Sequence, residues 1–235
     1  MGLWPQSVYV NRKFPMNSQK INRLRRAAQV LPLIFKSLKH FIVPGISELA
    51  VAVFIKQKLK EHGMHGHSFR IIVASGRRAA LPHGHASRKR IKRGELVVLD
   101  YGALLDGYCS DFTRTLVIGQ PTKRQKFLLK VVRAAQQKAL LQVRAGVSCY
   151  TVDAAARNYL KKHNLHHYFI HTTGHGIGKK VHEPPKISPK NRRRLRLNEV
   201  ITVEPGVYFK GWGGVRIEDM VLVKKNGYEL LTKAG

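Results

Sequence analysis

Cysteine and long apolar runs are both scarce in this sequence of 235 residues. The two cysteines, Cys109 and Cys149, exclude a framework of disulfides, and no segment resembles a secretory leader, so a reducing compartment, the cytoplasm, is the expected location. No apolar run reaches the roughly 18 residues of a membrane-spanning helix, so no membrane span is expected. The hydrophobic content of 43% is typical of a globular chain with a sizeable core.

Acidic residues are also scarce, with 13 Asp and Glu against 43 Lys and Arg and a formal net charge of +30. Such a charge attracts RNA, ribosomes or other anionic partners through counterion release, whatever the chemistry of the protein. A solvated basic surface without a partner is the open alternative, because no RNA-recognition motif accompanies the basic clusters. More than half of the acids fall in three short segments: Asp100, Asp106, Asp111, Glu183, Glu204, Glu218 and Asp219.

Two of these acids, Asp100 and Asp111, lie on a predicted hairpin over residues 96–115. A run of four aliphatic residues before Asp100 indicates a buried strand, and Asp106-Gly107 is a strong signal for a two-residue turn. That turn places Asp100 opposite Thr113, so the two aspartates share one face at roughly 7 to 8 Å. Like charges this close favour a shared cation; a turn aspartate with two solvated strand acids is the alternative.

A second copy of this strand follows in the other half of the chain. Residues 91–100 match residues 195–204 position by position, which makes Glu204 the counterpart of Asp100. Glu204 precedes a second hairpin with a glycine-rich tip, and a tip loop with an odd number of residues places Glu218 on the same face as Glu204. Two duplicated halves, each with a two-carboxylate hairpin, predict a site between them.

The remaining segments are predicted to be an N-terminal tail at residues 1–17 and helices outside the hairpins. Apolar periodicity and capping signals predict helices over about residues 18–41, 47–62, 122–144 and 150–163. A strand is predicted at residues 69–74. Residues 18–235 are therefore predicted to form one domain whose halves span about residues 18–120 and 121–235.

His175 is the predicted fifth member of the site, since the glycines on both sides let the backbone approach a bound group closely. A surface or core histidine is the alternative. Four carboxylates and one imidazole suit two divalent ions, with manganese expected and cobalt, zinc or iron also compatible. Two such ions about 3.5 to 4 Å apart hold a water between them as hydroxide, which predicts a hydrolytic site. The predicted metal ligands are Asp100, Asp111, His175, Glu204 and Glu218.

Four segments carry a family resemblance. ASGRRAALPHG, LDYGALLDGYCSDFTRT, TTGHGIGKKVHEPPKIS and VEPGVYFKGWGGVRIEDMVLV resemble the pita-bread metallopeptidases, which include methionine aminopeptidase, aminopeptidase P and prolidase. The resemblance covers roughly Ser18 to Thr232. It implies an α+β fold with pseudo-two-fold halves and a curved antiparallel sheet enclosed by helices. It also implies the five ligands above, with Asp111 and Glu218 spanning both metals.

The hairpin that carries Glu218 resembles the Xaa-Pro peptidases, so the resemblance implies a peptide substrate cut at its N-terminal Xaa-Pro bond. His83 and His182 match substrate-contacting histidines, expected to stabilise the oxyanion or hold the leaving residue. Glu204 or a nearby carboxylate is expected to move the proton to the leaving nitrogen. Arg216 is expected to orient carboxylates or bind a product carboxylate.

Several alternatives stay open. A methionine aminopeptidase is one, and a catalytically silent relative that binds nucleic acid or ribosomes is another. Arg216 could instead be a buried ion-pair partner of Asp219 or Glu218, while His83 and His182 could serve the loop or the packing alone. The extra N-terminal domain usual in Xaa-Pro peptidases is expected to be absent, and the sequence does not set the oligomeric state.

Overall fold

The helices form the outer layer of the protein. The computed structural model describes residues 18–233, so the predicted tail at residues 1–17 lies outside the described part. The α-helices are α1 (Ser18–Phe41), α2 (Glu48–Glu61), α3 (Lys123–Leu140) and α4 (Cys149–Lys162). Two short 3-10 helices cover Gly76–Ala80 and His166–Tyr168. Within residues 18–233 no helix is long and apolar enough to cross a membrane.

The strands form antiparallel ladders. They are β1 (Gly66–His67), β2 (Ile72–Ser75), β3 (Leu96–Tyr101), β4 (Ala103–Leu105), β5 (Tyr108–Cys109), β6 (Phe112–Val117), β7 (Gly174–Gly176), β8 (Glu183–Ile187), β9 (Val200–Val203), β10 (Gly206–Phe209), β11 (Gly213–Arg216), β12 (Asp219–Lys224) and β13 (Gly227–Leu230). Their orders are β2-β3-β6, β1-β4-β5, β13-β12-β9-β7-β8 and β10-β11. The strand predicted at 69–74 begins later, at Ile72, which pairs with Asp100 near the end of β3.

Side-chain hydroxyls cap the predicted helix starts. Ser47 Oγ accepts the Ala50 N–H at 3.1 Å, and Thr122 forms the predicted capping box with Gln125. The predicted end of α3 at residue 144 is wrong, because the helix stops at Leu140. There the chain turns through short-range bonds such as Val143 N–H to Leu140 O, and this turn buries Val143 in the core.

The two halves repeat each other's packing. In the first half Arg90 donates to the carbonyl of Gly45 at 2.9 Å, and in the second half Arg194 donates to the carbonyl of Gly146 at 2.8 Å. In both cases the arginine lies just before the hairpin strand and the glycine just before the helix. The α1–α2 pair of the first half thus corresponds to the α3–α4 pair of the second.

Strand β3 divides its side chains between core and site. Val97, Leu99 and Tyr101 pack in the apolar cluster under α1 and α2. Asp100 projects from the other face because side chains alternate along a strand. Both faces of β3 are buried, and the Asp100 carboxylate lies on the face opposite α1 and α2.

The first hairpin has the predicted register. Leu105 pairs with Tyr108 across the turn, and Asp100 pairs with Thr113. The hairpin divides into two ladders at Gly102, where an added Cβ would collide with the carbonyl oxygen of Ser110. Glycine is therefore required at the point where the strand bends beside the two aspartates.

The second hairpin places its acids directly opposite each other. Val203 pairs with Asp219 and Gly206 pairs with Arg216, so the same register puts Glu204 opposite Glu218. The tip holds three residues between Phe209 and Gly213, the odd number required for a shared face. The glutamates thus face each other directly, whereas Asp100 and Asp111 are diagonal neighbours.

We expect Gly102→Ala to lower the free energy of unfolding by about 3 kcal/mol or more, because the methyl group collides with backbone. Gly107→Ala on the same hairpin is the matched control. Gly107 has φ +78° with no atom within 4 Å of an added Cβ, so only the left-handed conformation costs energy, about 1 to 2 kcal/mol. Urea unfolding followed by circular dichroism measures both, and equal losses would contradict the role of Gly102.

Candidate metal centre

The cleft between the two halves has a volume of about 1150 Å³ and brings the predicted site residues together. All the predicted ligands line it, as do His83, His182 and Arg216. The ligands are Asp100, Asp111, His175, Glu204 and Glu218. All but Glu204 are buried, and Glu204 is partly exposed to the cleft.

Three of the ligand residues form a compact group. One ligand atom from each of Asp111, His175 and Glu218 lies within 4.8 Å of the other two. His175 Nε2 is 3.3 Å from Glu204 Oε1 and 3.8 Å from Asp111 Oδ2. The imidazole thus connects the acids of the two hairpins.

Glycines and a backbone hydrogen bond orient His175. An added Cβ on Gly174 would collide with the Thr202 carbonyl, and one on Gly176 with the Pro184 carbonyl, so strand β7 fits only with glycine on both sides. His175 Nδ1 lies 3.0 Å from the Gly176 carbonyl oxygen, which leaves Nε2 for the carboxylates. A backbone contact on the other ring nitrogen is typical of metal-ligating histidines.

The residues present fit a divalent metal. Three buried carboxylate oxygens have no hydrogen-bond partner within the described chain: Asp100 Oδ1, Asp111 Oδ1 and Glu218 Oε1. Buried oxygens without partners are costly, and hard divalent cations prefer oxygen ligands. The described protein by itself therefore leaves these oxygens without partners, and divalent cations would supply them.

The electrostatics lead to the same conclusion. Burial and the neighbouring carboxylates, Glu218 foremost, raise the pKa of Asp111 well above its usual range. Burial and the charges of Glu204 and Asp100 do the same to the pKa of Glu218. Burial would raise the pKa of Glu204 too, but the hydrogen bond and charge of His175 lower it to about 2. Bound cations would relieve this repulsion.

Arg216 links acids of the two hairpins through hydrogen bonds. Its guanidinium donates to Asp100 Oδ2 at 2.5 Å and to Thr113 Oγ1 at 3.2 Å, and Thr113 in turn donates to Glu218 Oε2 at 2.7 Å. Arg216 is thus a buried ion-pair partner, as the alternative reading expected, but its partner is Asp100. Asp219 pairs with Arg114 instead, and Glu218 is reached only through Thr113. Of the two expected roles of Arg216, these contacts favour orienting carboxylates.

Two residues without a predicted role join this network. Tyr208 accepts a hydrogen bond from Arg216 at 2.7 Å, and its hydroxyl lies 2.8 Å from His171 Nε2. Burial lowers the pKa of His171, which keeps the ring neutral at the cleft wall. The sequence held no short-range signal for this contact, because His171 lies before β7 begins and its partner Tyr208 is 37 positions away.

The two predicted substrate histidines, His83 and His182, both line the cleft. The His182 ring lies 4.3 Å from the His175 ring, edge to face, and both His182 and His83 are exposed. The loop that carries His83 is held by Arg78, which donates to the His85 carbonyl and pairs with buried Glu48. Both side chains are thus accessible to a ligand in the cleft, and hydrogen bonds hold the loop that carries His83.

We expect Asp111→Asn to stabilise the metal-free protein by on the order of 1 kcal/mol near neutral pH, because it removes a carboxylate whose ionisation the site opposes. Unfolding in EDTA measures this, and added Mn²⁺ should raise the midpoint of the wild type far more than that of the variant.

Asp219→Asn is the matched control for that substitution. Asp219 is buried but paired with Arg114 and Gln136, so the same change there should destabilise by about 2 to 3 kcal/mol. A loss of stability at both positions would contradict the repulsion inferred at Asp111.

Comparisons with known proteins agree with the fold and identify the family. The sequence profile of metallopeptidase family M24 matches residues 22–225. The Xaa-Pro dipeptidase of Pyrococcus horikoshii is 42% identical over 92% of this chain and 62% of its own length. The chain thus spans about three fifths of the length of that relative.

Solved structures give the same result. An Xaa-Pro dipeptidase from Bacillus anthracis superposes with a TM-score of 0.91 at 41% identity, covering 93% of this chain and 61% of the other. An X-Pro aminopeptidase from Thermotoga maritima superposes with a TM-score of 0.89 at 39% identity, covering 92% of this chain and 62% of the other. The predicted pita-bread fold is confirmed. The chain therefore belongs to metallopeptidase family M24.

Proposed function

We propose that this chain is a metal-dependent peptidase domain that hydrolyses the N-terminal Xaa-Pro bond of peptides. The observation that carries the proposal is the buried group of Asp111, His175 and Glu218, with carboxylate oxygens that lack partners, on the floor of a large open cleft. The similarity to proteins named Xaa-Pro dipeptidase and X-Pro aminopeptidase supplies the substrate class.

We assign two divalent ions to the site, with manganese first and cobalt, zinc or iron as alternatives. Asp100, Asp111, His175, Glu204 and Glu218 would hold these ions. When bound, the ions supply charge stabilisation and activate a water for attack on the peptide carbonyl. Arg216 and Thr113 keep Asp100 and Glu218 oriented through the hydrogen bonds described above.

Proton transfer and oxyanion binding fall to groups at the cleft surface. Glu204 is the ligand carboxylate most open to the cleft, so it can take a proton from the attacking water and deliver it to the leaving nitrogen. Burial lowers the pKa of His182, so its ring is neutral and can donate one hydrogen bond to the developing oxyanion. His83, which also lines the cleft, would hold the leaving residue.

The cysteines bear on location. Both Cys109 and Cys149 are free, which supports the cytoplasm as the location of the protein.

The test is hydrolysis of an Xaa-Pro-Xaa tripeptide and an Xaa-Pro dipeptide by the purified chain after Mn²⁺ loading. Cleavage before proline that Asp111→Asn abolishes is the expected result, and the preferred length separates aminopeptidase from dipeptidase. Turnover of Met-Ala-Ser without cleavage before proline would assign the chain to the methionine aminopeptidases. No turnover of any of them by protein with bound metal would overturn the peptidase assignment.

We expect His182→Ala and His83→Ala each to lower kcat/KM by about 100-fold or more, because each removes a polar contact to the reacting group. His40→Ala, at an exposed position on α1, is the matched control and should leave the rate unchanged. Steady-state kinetics with confirmed metal content measures the effect. Wild-type rates in both cleft variants would assign these histidines to the loops alone.

A further inference from the structure

All the charged side chains that helix α3 presents to solvent are basic. Its inner face, with Leu128, Val131 and Val132, is buried in the core. It contains no acid, and every basic side chain is exposed: Lys123, Arg124, Lys126, Lys130, Arg133 and Lys138.

Nothing within the described chain neutralises this face. Nine of the thirteen acidic side chains form ion pairs with lysine or arginine residues that lie outside α3. The other four line the cleft: Asp111, Glu183, Glu204 and Glu218. Helix α4, which packs beside α3, contains a single acid, Asp153, and this residue is fully buried against Arg157. The α3 cations thus have no carboxylate partner among residues 18–233.

The spacing of the charges opposes helix stability. Lys123, Lys126, Lys130 and Arg133 follow one another at intervals of three or four residues, so each repels the next along the helix surface. The first turn carries Lys123 and Arg124 at the positive end of the helix dipole, which is the unfavourable end for cations. A bound polyanion would offset this repulsion, because each cation would then attract a negative charge.

An aromatic ring lies among these cations. Phe127 is 46% exposed, and helical spacing makes Lys123, Arg124 and Lys130 its surface neighbours. The ring contacts His163 edge to face at 5.9 Å, and exposed Lys161 and Lys162 precede that histidine. A flat ring on a rigid helix, surrounded by flexible cations, matches the way proteins bind bases and phosphates of unpaired strands.

We infer that this surface, made of Lys123, Lys126, Phe127, Lys130, Arg133, Lys161 and Lys162, binds single-stranded nucleic acid. The lysines and Arg133 contact successive phosphates, and a base stacks on Phe127. Its apolar side is already buried in the core, so α3 has no apolar face to insert into a lipid surface. The surface lies outside the cleft lining, so binding there is separate from the peptidase site.

Fluorescence anisotropy with labelled 12-nucleotide oligouridylate and oligothymidylate tests this inference on the full chain between 50 and 300 mM KCl. We expect log affinity to fall linearly with log salt. A triple variant, Lys126→Gln with Lys130→Gln and Arg133→Gln, should bind about tenfold more weakly at 100 mM KCl and reduce the slope by about 2, near 0.7 for each lost phosphate contact.

The matched control removes the same charge from the first half, by Lys36→Gln, Lys56→Gln and Lys60→Gln at exposed positions on α1 and α2. It should leave the slope and affinity close to those of the wild type. Thermal unfolding of both triple variants confirms that they are folded. An equal loss in the control, or no binding at 50 mM KCl, would overturn the assignment to α3.

The variant Phe127→Ala distinguishes base stacking from the attraction between phosphates and the cations. It should weaken binding by about fivefold or more while leaving the salt slope unchanged, because it removes a base contact and no phosphate contact. Unchanged affinity would exclude stacking. Competition by polyglutamate or by anionic lipid vesicles as effective as unlabelled oligonucleotide would also overturn the inference, in favour of an acidic protein or a membrane surface.

Discussion

The mutual repulsion of buried carboxylates is the constraint on which the rest of this structure depends. Asp100, Asp111 and Glu218 are buried next to one another, and the cost appears as raised pKa values and as oxygens without hydrogen-bond partners. Arg216 offsets part of it by donating to Asp100. Bound cations would relieve the remainder, so the same donor set that destabilises the metal-free protein is suited to divalent metal.

The duplicated halves build this group by using equivalent positions differently. Thr113 stands opposite Asp100 in the first hairpin, whereas Glu218 stands opposite Glu204 in the second. Two residues before each of these, the first hairpin carries Asp111 and the second carries Arg216. One strand geometry therefore yields a diagonal acid pair, a facing acid pair and a central arginine, and the exchange of one acid for arginine keeps the cluster from being purely anionic.

The same scarcity of acids shapes the exterior. Because the carboxylates pair with cations outside α3 or lie in the cleft, α3 carries lysine and arginine without a carboxylate partner among residues 18–233. The net charge of +30 is thus unevenly distributed, with a concentration of unpaired cations on α3. The proposed peptidase site and the proposed binding surface do not overlap, because no residue of α3 lines the cleft.

Local signals in the sequence were enough to predict the register of the first hairpin, the helix caps at Ser47 and Thr122, and five residues that the structure brings to one cleft. Turn chemistry and the two-residue period operate over a few positions, as in Asp106-Gly107 and Asp100 with Thr113. Tertiary structure alone decided the partner of Arg216, which lies 116 residues from Asp100, and the contact of Tyr208 with His171. It also decided where α3 ends, because Val143 leaves the helix to enter the core. Such contacts depend on which distant surfaces meet, and no short-range pattern encodes that.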